Sequence, residues 1–168
     1  HHGSFERPDG ARIHYVDTAP GSALPPVVLL HGITLQWWMW SSVIRELRDE
    51  ARVIAWDMRG FGSSTAGSGL TIEAAAADLA ALLDTLDLHD AIVVGHSMGG
   101  MELGRFAVDH AKVRRERVAG LVFLDTAARA GAGTLLTGGL VRLSPFTAKL
   151  AATGLVGRFR WHDNDLSI

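Results

Sequence analysis

Four short, uninterrupted apolar runs constrain this chain more than any other feature: Val27-Val28-Leu29-Leu30, Val53-Ile54-Ala55-Trp56, Ala91-Ile92-Val93-Val94 and Val118–Leu124. A strand with one wet face alternates polar and apolar residues, whereas a strand covered on both faces is apolar throughout. The intervening segments carry helical spacing instead. Trp40, Val43, Ile44 and Leu47 predict a helix over about residues 38–50. Thr71 is placed to cap an alanine-rich helix whose Ile72, Leu79, Leu82, Leu83 and Leu86 form one apolar stripe, and a further helix is expected over 99–110. Buried strands alternating with helices predict an α/β fold: a mostly parallel, doubly wound sheet with right-handed crossovers. Ahead of the first run, Asp9-Gly10 separates residues 4–7 from 12–18, which read as a hairpin, and a proline- and glycine-rich loop follows over 20–26.

Composition narrows the function classes. The 168 residues suffice for one domain, and 48% hydrophobic with 20% charged residues is ordinary for a soluble globular chain. A net charge of -2 offers no electrostatic attraction to nucleic acid, so no nucleic-acid partner is expected. The absence of cysteine excludes disulfides, thiolate metal sites and a cysteine nucleophile. No apolar run approaches the ~20 residues needed to span a bilayer, so no membrane span is expected. His1-His2-Gly3-Ser4 reads as a tag remnant, set aside at residues 1–4, and nothing at the start resembles a signal peptide, so a cytoplasmic location is expected. Residues 5–128 are expected to form the core. Residues 129–168, glycine-rich and then patchily helical around Pro145 and Gly154, are expected to begin a helical lid.

The chemistry-bearing motif is Gly95-His96-Ser97-Met98-Gly99. A G-x-S-x-G pentapeptide carries weight only between a strand and a helix, and here an apolar run precedes it and a helical pattern follows. The glycines permit a sharp turn that aims the serine hydroxyl above the carboxyl edge of the sheet. The following helix presents unpaired N–H groups to a developing oxyanion.

Two further motifs accompany the pentapeptide in chain order: Leu29-Leu30-His31-Gly32-Ile33 and Asp57-Met58-Arg59-Gly60-Phe61-Gly62-Ser63-Ser64. Together they resemble the α/β-hydrolase fold superfamily over about residues 5–125. The resemblance implies that Ser97 is a nucleophile forming an acyl-enzyme, and that the backbone N–H groups of Ile33 and Met98 form the oxyanion hole. A serine at this turn argues against the superfamily's haloalkane dehalogenases and epoxide hydrolases, which carry aspartate there. The implied activity is cofactor-independent hydrolysis of a small to medium, largely apolar ester or related acyl compound. No metal cluster is present, and Gly60-Phe61-Gly62 lacks the third glycine of a dinucleotide fingerprint.

The histidines are assigned bland roles at this level. His31 and His96 are expected to pack within their turns, and His14, His89 and His110 to lie on the surface. His162 reads as part of a solvated polar tail. Asp57 and Arg59 are expected to hold their own loop. Asp125, at the end of the fourth apolar run, is a candidate triad acid, the competing reading being a strand-end cap. Trp38 is a candidate lining residue for the substrate, and Trp40 a core residue. In this superfamily the triad runs serine, acid, histidine along the chain, so the histidine is expected beyond the last strand, supplied by a second polypeptide or a missing C-terminal segment. The alternative is an inactive fragment or short form serving as a ligand-binding or interaction module.

Overall fold

A computed structural model of the chain describes residues 1–126; the lid expected over 129–168 and His162 lie outside the described residues. The elements run β1 (His2–Glu6), β2 (Arg12–Asp17), β3 (Pro26–Leu30), a 3₁₀ turn (Trp37–Trp40), α1 (Ser41–Leu47), β4 (Arg52–Trp56), α2 (Ile72–Thr85), β5 (Ala91–His96), α3 (Met98–Asp109), α4 (Ala111–Arg117) and β6 (Val118–Leu124). They build one six-stranded sheet in the order β1-β2-β4-β3-β5-β6. β1 and β2 are antiparallel to their neighbours, and β4, β3, β5 and β6 run parallel.

The first three apolar runs became the inner strands β3, β4 and β5, whose faces are covered, while β6 stands at the end of the sheet among the described residues and is mostly half-buried. On β3, Val28 and Leu30 face one core, with Leu79, Leu82 and Leu83 of α2 and Leu103 and Phe106 of α3. Val27 and Leu29 face the other, with Trp40, Val43 and Leu47. Each such fully buried Leu or Val contributes about 1.5–3 kcal/mol, so this doubly covered strand is a principal anchor of the fold. The Thr71 side chain caps α2 by accepting from the Ala74 amide at 3.1 Å, as the sequence predicted. The Asp9-Gly10 turn is also formed, with Gly10 at φ 84° and its amide donating to Arg7 O at 2.9 Å.

Several boundaries differ from expectation. β1 begins at His2, within the stretch read as a tag remnant, because His2, Gly3 and Ser4 pair in register with Val16, Tyr15 and His14. The helix expected over 38–50 splits into a tight 3₁₀ turn and a short α1, because Trp40 is drawn into the core at the junction while Trp38 stays in solvent. α4 was not foreseen. The chain leaves α3 at His110 (φ -113°, ψ 38°) and re-enters a helix whose Val113 packs on the core, too little apolar signal to mark a helix. No helix among the described residues is long and apolar enough to cross a membrane.

Candidate active site

The site lies at the carboxyl ends of the parallel strands, where β5 turns directly into α3. Ser97 occupies that junction with φ 54° and ψ -118°, a region that L-residues enter only under constraint. The constraint is close packing. A Cβ on Gly95 would lie 2.5 Å from Gly99 O, and one on Gly99 would lie 2.6 Å from His31 O and 2.7 Å from Leu30 O. Both glycines therefore let backbones approach where no side chain fits. The Ser97 amide donates to Leu124 O at 3.0 Å, and the Thr126 hydroxyl donates to Ser97 O at 2.6 Å, so the end of β6 and the residues just after it hold the turn from the side. Sequence reasoning missed Thr126.

The loop after β3 closes against this turn. A Cβ on Gly32 would stand 3.1 Å from both Ser97 Cβ and His96 Nδ1, so the residue before Ile33 abuts the serine. Among the described residues, neither the Ile33 nor the Met98 amide donates to a protein acceptor. Both N–H groups are thus available to a ligand, as an oxyanion hole requires. Ile33 and Trp38 expose 58% and 54% of their surface, which puts two large apolar side chains in solvent on the same loop.

This loop is tied to the one after β4 at both ends. At its start, the Met58 amide donates to His31 Nε2 at 2.9 Å, and His31 Nδ1 donates to Gly32 O at 2.7 Å. With one ring nitrogen accepting and the other donating, His31 is the neutral tautomer, and burial pushes its pKa below the ordinary value of 6.5. At the loop's far end, the Trp37 amide donates to Asp57 Oδ1 at 2.8 Å. Asp57 is buried, and its Oδ2 accepts from the Ser63 amide at 3.0 Å and from His14 Nδ1 at 2.8 Å. Nothing in the local sequence around His14 or Asp57 announces that the two meet. His14, expected as a surface residue, is drawn inward because strand pairing sets it beside the end of β4.

Arg59 holds the same loop to the body of the protein. Its guanidinium forks onto Asp78 of α2 (2.7 and 2.8 Å) and reaches Asp9 Oδ2 at 2.8 Å. Hydrogen bonding to Arg59 lowers the Asp9 pKa to about 2. Asp57 and Arg59 therefore bind more than their own loop. Glu102 on α3 is fully buried nearby, and both its carboxyl oxygens lack a partner among the described residues. Burial, reinforced by Asp78 and opposed by Arg59, raises its pKa well above the usual carboxylate value.

The remaining candidates are placed as follows. Asp125 follows β6, exposed and with φ 46°, one residue past the Leu124 that pairs with His96. Trp40 is core, 1% exposed, with the His96 ring edge-on to it at 6.4 Å. His89 is exposed beside Asp87, and His110 stacks on Phe106 at 5.9 Å, which anchors it more firmly than a surface position implies. Among the described residues no cluster of three or more His, Cys, Asp or Glu side chains could hold a metal.

The profile of the alpha/beta hydrolase fold matches residues 25–149. The chain is 40% identical over 125 residues to the non-heme chloroperoxidase of Streptomyces lividans, covering 73% of this chain and 44% of that protein. It is 37% identical over 95 residues to mouse epoxide hydrolase 4, covering 55% of this chain and 26% of the relative. Among solved structures, a thermophilic esterase from Thermogutta terrifontis superposes with a TM-score of 0.64 at 41% identity, over 75% of this chain and 44% of that one. The chain therefore spans less than half the length of each of these relatives.

Proposed function

The chain belongs to the α/β-hydrolase fold family, and from that premise we propose that it carries the nucleophile and oxyanion hole of a serine hydrolase acting on a small to medium, largely apolar ester or related acyl compound. The observation that supports this reading best is Ser97 itself, at φ 54° on the turn from β5 to α3. Ser97 Oγ attacks the acyl carbonyl, and its proton passes to a base. The negative charge gathering on the carbonyl oxygen is accepted by the Ile33 and Met98 N–H groups, already oriented before reaction. The alcohol leaves, and water releases the acid from the acyl-enzyme.

The base comes from outside residues 1–126 in this account. His31 uses both ring nitrogens in the loop, and His14 commits Nδ1 to Asp57 and pairs Nε2 with His2 at 3.0 Å. Asp125 stands as the candidate acid on β6. Ile33 and Trp38 offer an apolar surface to the acyl or alcohol group. Relatives include epoxide hydrolases as well as esterases, and the serine at the turn supports ester chemistry over epoxide opening.

The test is hydrolysis of p-nitrophenyl butyrate by the chain, without and with added imidazole, against a Ser97→Ala control and with styrene oxide as the competing substrate. The proposal expects ester turnover that depends on Ser97 and rises with imidazole, which supplies a base from solution. Ester turnover indifferent to Ser97→Ala, or epoxide opening in its place, would contradict it. Binding of the ester without any Ser97-dependent turnover would favour the binding-module alternative.

A further inference from the structure

We propose that Asp57 is a positioning residue for the oxyanion loop, holding the segment from Ile33 to Trp37 over Ser97 through the Trp37 amide; this rests on the acyl-enzyme reading above. The loop after β3 has an anchor at each end, and both lie on the loop after β4. The near anchor is the Met58 amide on His31 Nε2 at 2.9 Å, and the far anchor is the Trp37 amide on Asp57 Oδ1 at 2.8 Å. Between them stands Thr34 at φ 62°, a conformation that a loose loop would abandon. The Leu35 amide on Gly32 O at 3.2 Å closes a turn inside the segment. The Ile33 amide is therefore suspended between two fixed points, and its direction depends on both.

The Asp57 carboxylate is itself fixed with little freedom. Oδ2 takes the Ser63 amide at 3.0 Å and His14 Nδ1 at 2.8 Å, leaving Oδ1 for Trp37. The Asp57 carbonyl accepts from the Ser64 hydroxyl at 2.6 Å, and Ser64 Oγ in turn accepts from the His14 amide at 2.9 Å. Gly62 makes room for this: a Cβ there would fall 2.4 Å from Asp57 Cγ, and its φ of 55° suits glycine. A buried carboxylate with donors on both oxygens is a rigid acceptor, and a charged acceptor makes the stronger class of hydrogen bond. The glycine, serine and histidine around Asp57 thus serve a residue in the neighbouring loop.

The experiment compares the full chain with Asp57→Ala and Asp57→Asn. Asparagine keeps a carbonyl oxygen for Trp37 while losing the second acceptor for Ser63. Amide exchange is read residue by residue by NMR, and Ser97-dependent hydrolysis of p-nitrophenyl butyrate is read with imidazole present. Asp57→Ala should speed Trp37 exchange roughly ten- to a hundredfold. It should lower kcat by about ten- to a hundredfold while KM changes little, since a displaced oxyanion donor weakens the transition state and not the ground state. Asp57→Asn should restore Trp37 protection and most of kcat while leaving the Ser63 amide fast. Unchanged Trp37 exchange in Asp57→Ala would overturn the clamp. Altered exchange with unchanged kcat, or equal losses of kcat in both variants, would overturn its positioning role. If the wild-type chain has no Ser97-dependent rate, the acyl-enzyme reading fails and the catalytic role of Asp57 fails with it. Trp37 exchange then still decides whether the clamp exists.

Discussion

Glu102→Gln should change how the stability of this chain depends on pH. Glu102 faces Asp78 of α2 and Arg59 of the loop after β4, with Arg7 and Asp9 in the next layer. Arg7 and Arg59 already balance Asp9 and Asp78, so an ionised Glu102 would add an uncompensated charge in a fully buried place. Its pKa is raised by burial first and by Asp78 second, so the folded chain keeps the proton above the ordinary value of 4.5, where the unfolded chain loses it. In that window the unfolded state binds fewer protons, and stability falls as pH rises, by about 1.4 kcal/mol per pH unit. The decline stops where the folded chain also deprotonates. Glutamine cannot ionise, and its unpartnered amide carries a burial cost of about 1–3 kcal/mol that does not vary with pH. The difference in unfolding free energy between Glu102→Gln and wild type should therefore shift in favour of the variant by about 1.4 kcal/mol per unit from pH 5 upward. Urea titrations followed by tryptophan fluorescence at pH 5, 6, 7 and 8 measure it, and taking the difference removes the titrating groups that do not interact with Glu102. A constant offset across that range would mean that folded Glu102 holds no proton that the unfolded chain has lost.

Other perturbations have equally definite outcomes. Gly99→Ala forces a Cβ against His31 O and Leu30 O, backbone atoms that cannot rotate away, and should lower stability by at least about 1–3 kcal/mol; an unchanged melting temperature would contradict this. Thr71→Ala removes the cap on the Ala74 amide and should cost about 1 kcal/mol, with Thr71→Ser recovering most of it in chemical denaturation. His31 has a folded pKa lowered by burial, so below 6.5 the unfolded chain takes a proton that the folded chain refuses. Stability should then fall as pH drops from 6.5 toward the folded value, by up to about 1.4 kcal/mol per unit. The measured check is that His31→Gln flattens this acid-side slope.

The parts of the fold legible in the sequence were those written in local pattern. β3, β4 and β5 showed themselves because strands covered on both faces are apolar without interruption, β6 because its run is equally apolar although it is only half-buried, and Thr71 because a cap lies three residues from the amide it satisfies. The turn at Ser97 was legible because its glycines answer a local backbone demand. The missing parts depend on contacts between residues distant in sequence. His14 and Asp57 are 43 positions apart, and nothing in either neighbourhood announces that strand pairing brings them together. Thr126 reaches Ser97 across 29 positions in the same way. Glu102 is different, because its burial could have been read: Gly99, Glu102, Leu103 and Phe106 recur at helical spacing and are the buried face of α3. An acid in that stripe was a signal passed over. α4 had no such signal, since Val113 is its residue on the core, and Arg117 is held by Asp84, Asp87 and the Leu88 carbonyl, partners distant in sequence.

Everything proposed for the site depends on Ser97 as nucleophile, which covalent labelling reports. The chain is exposed to a fluorophosphonate, digested and mapped by mass spectrometry beside Ser97→Ala. An adduct is expected on the peptide containing Ser97, with none in the variant. An adduct that persists in Ser97→Ala, or its absence from the Ser97 peptide when imidazole is supplied as base, would contradict it.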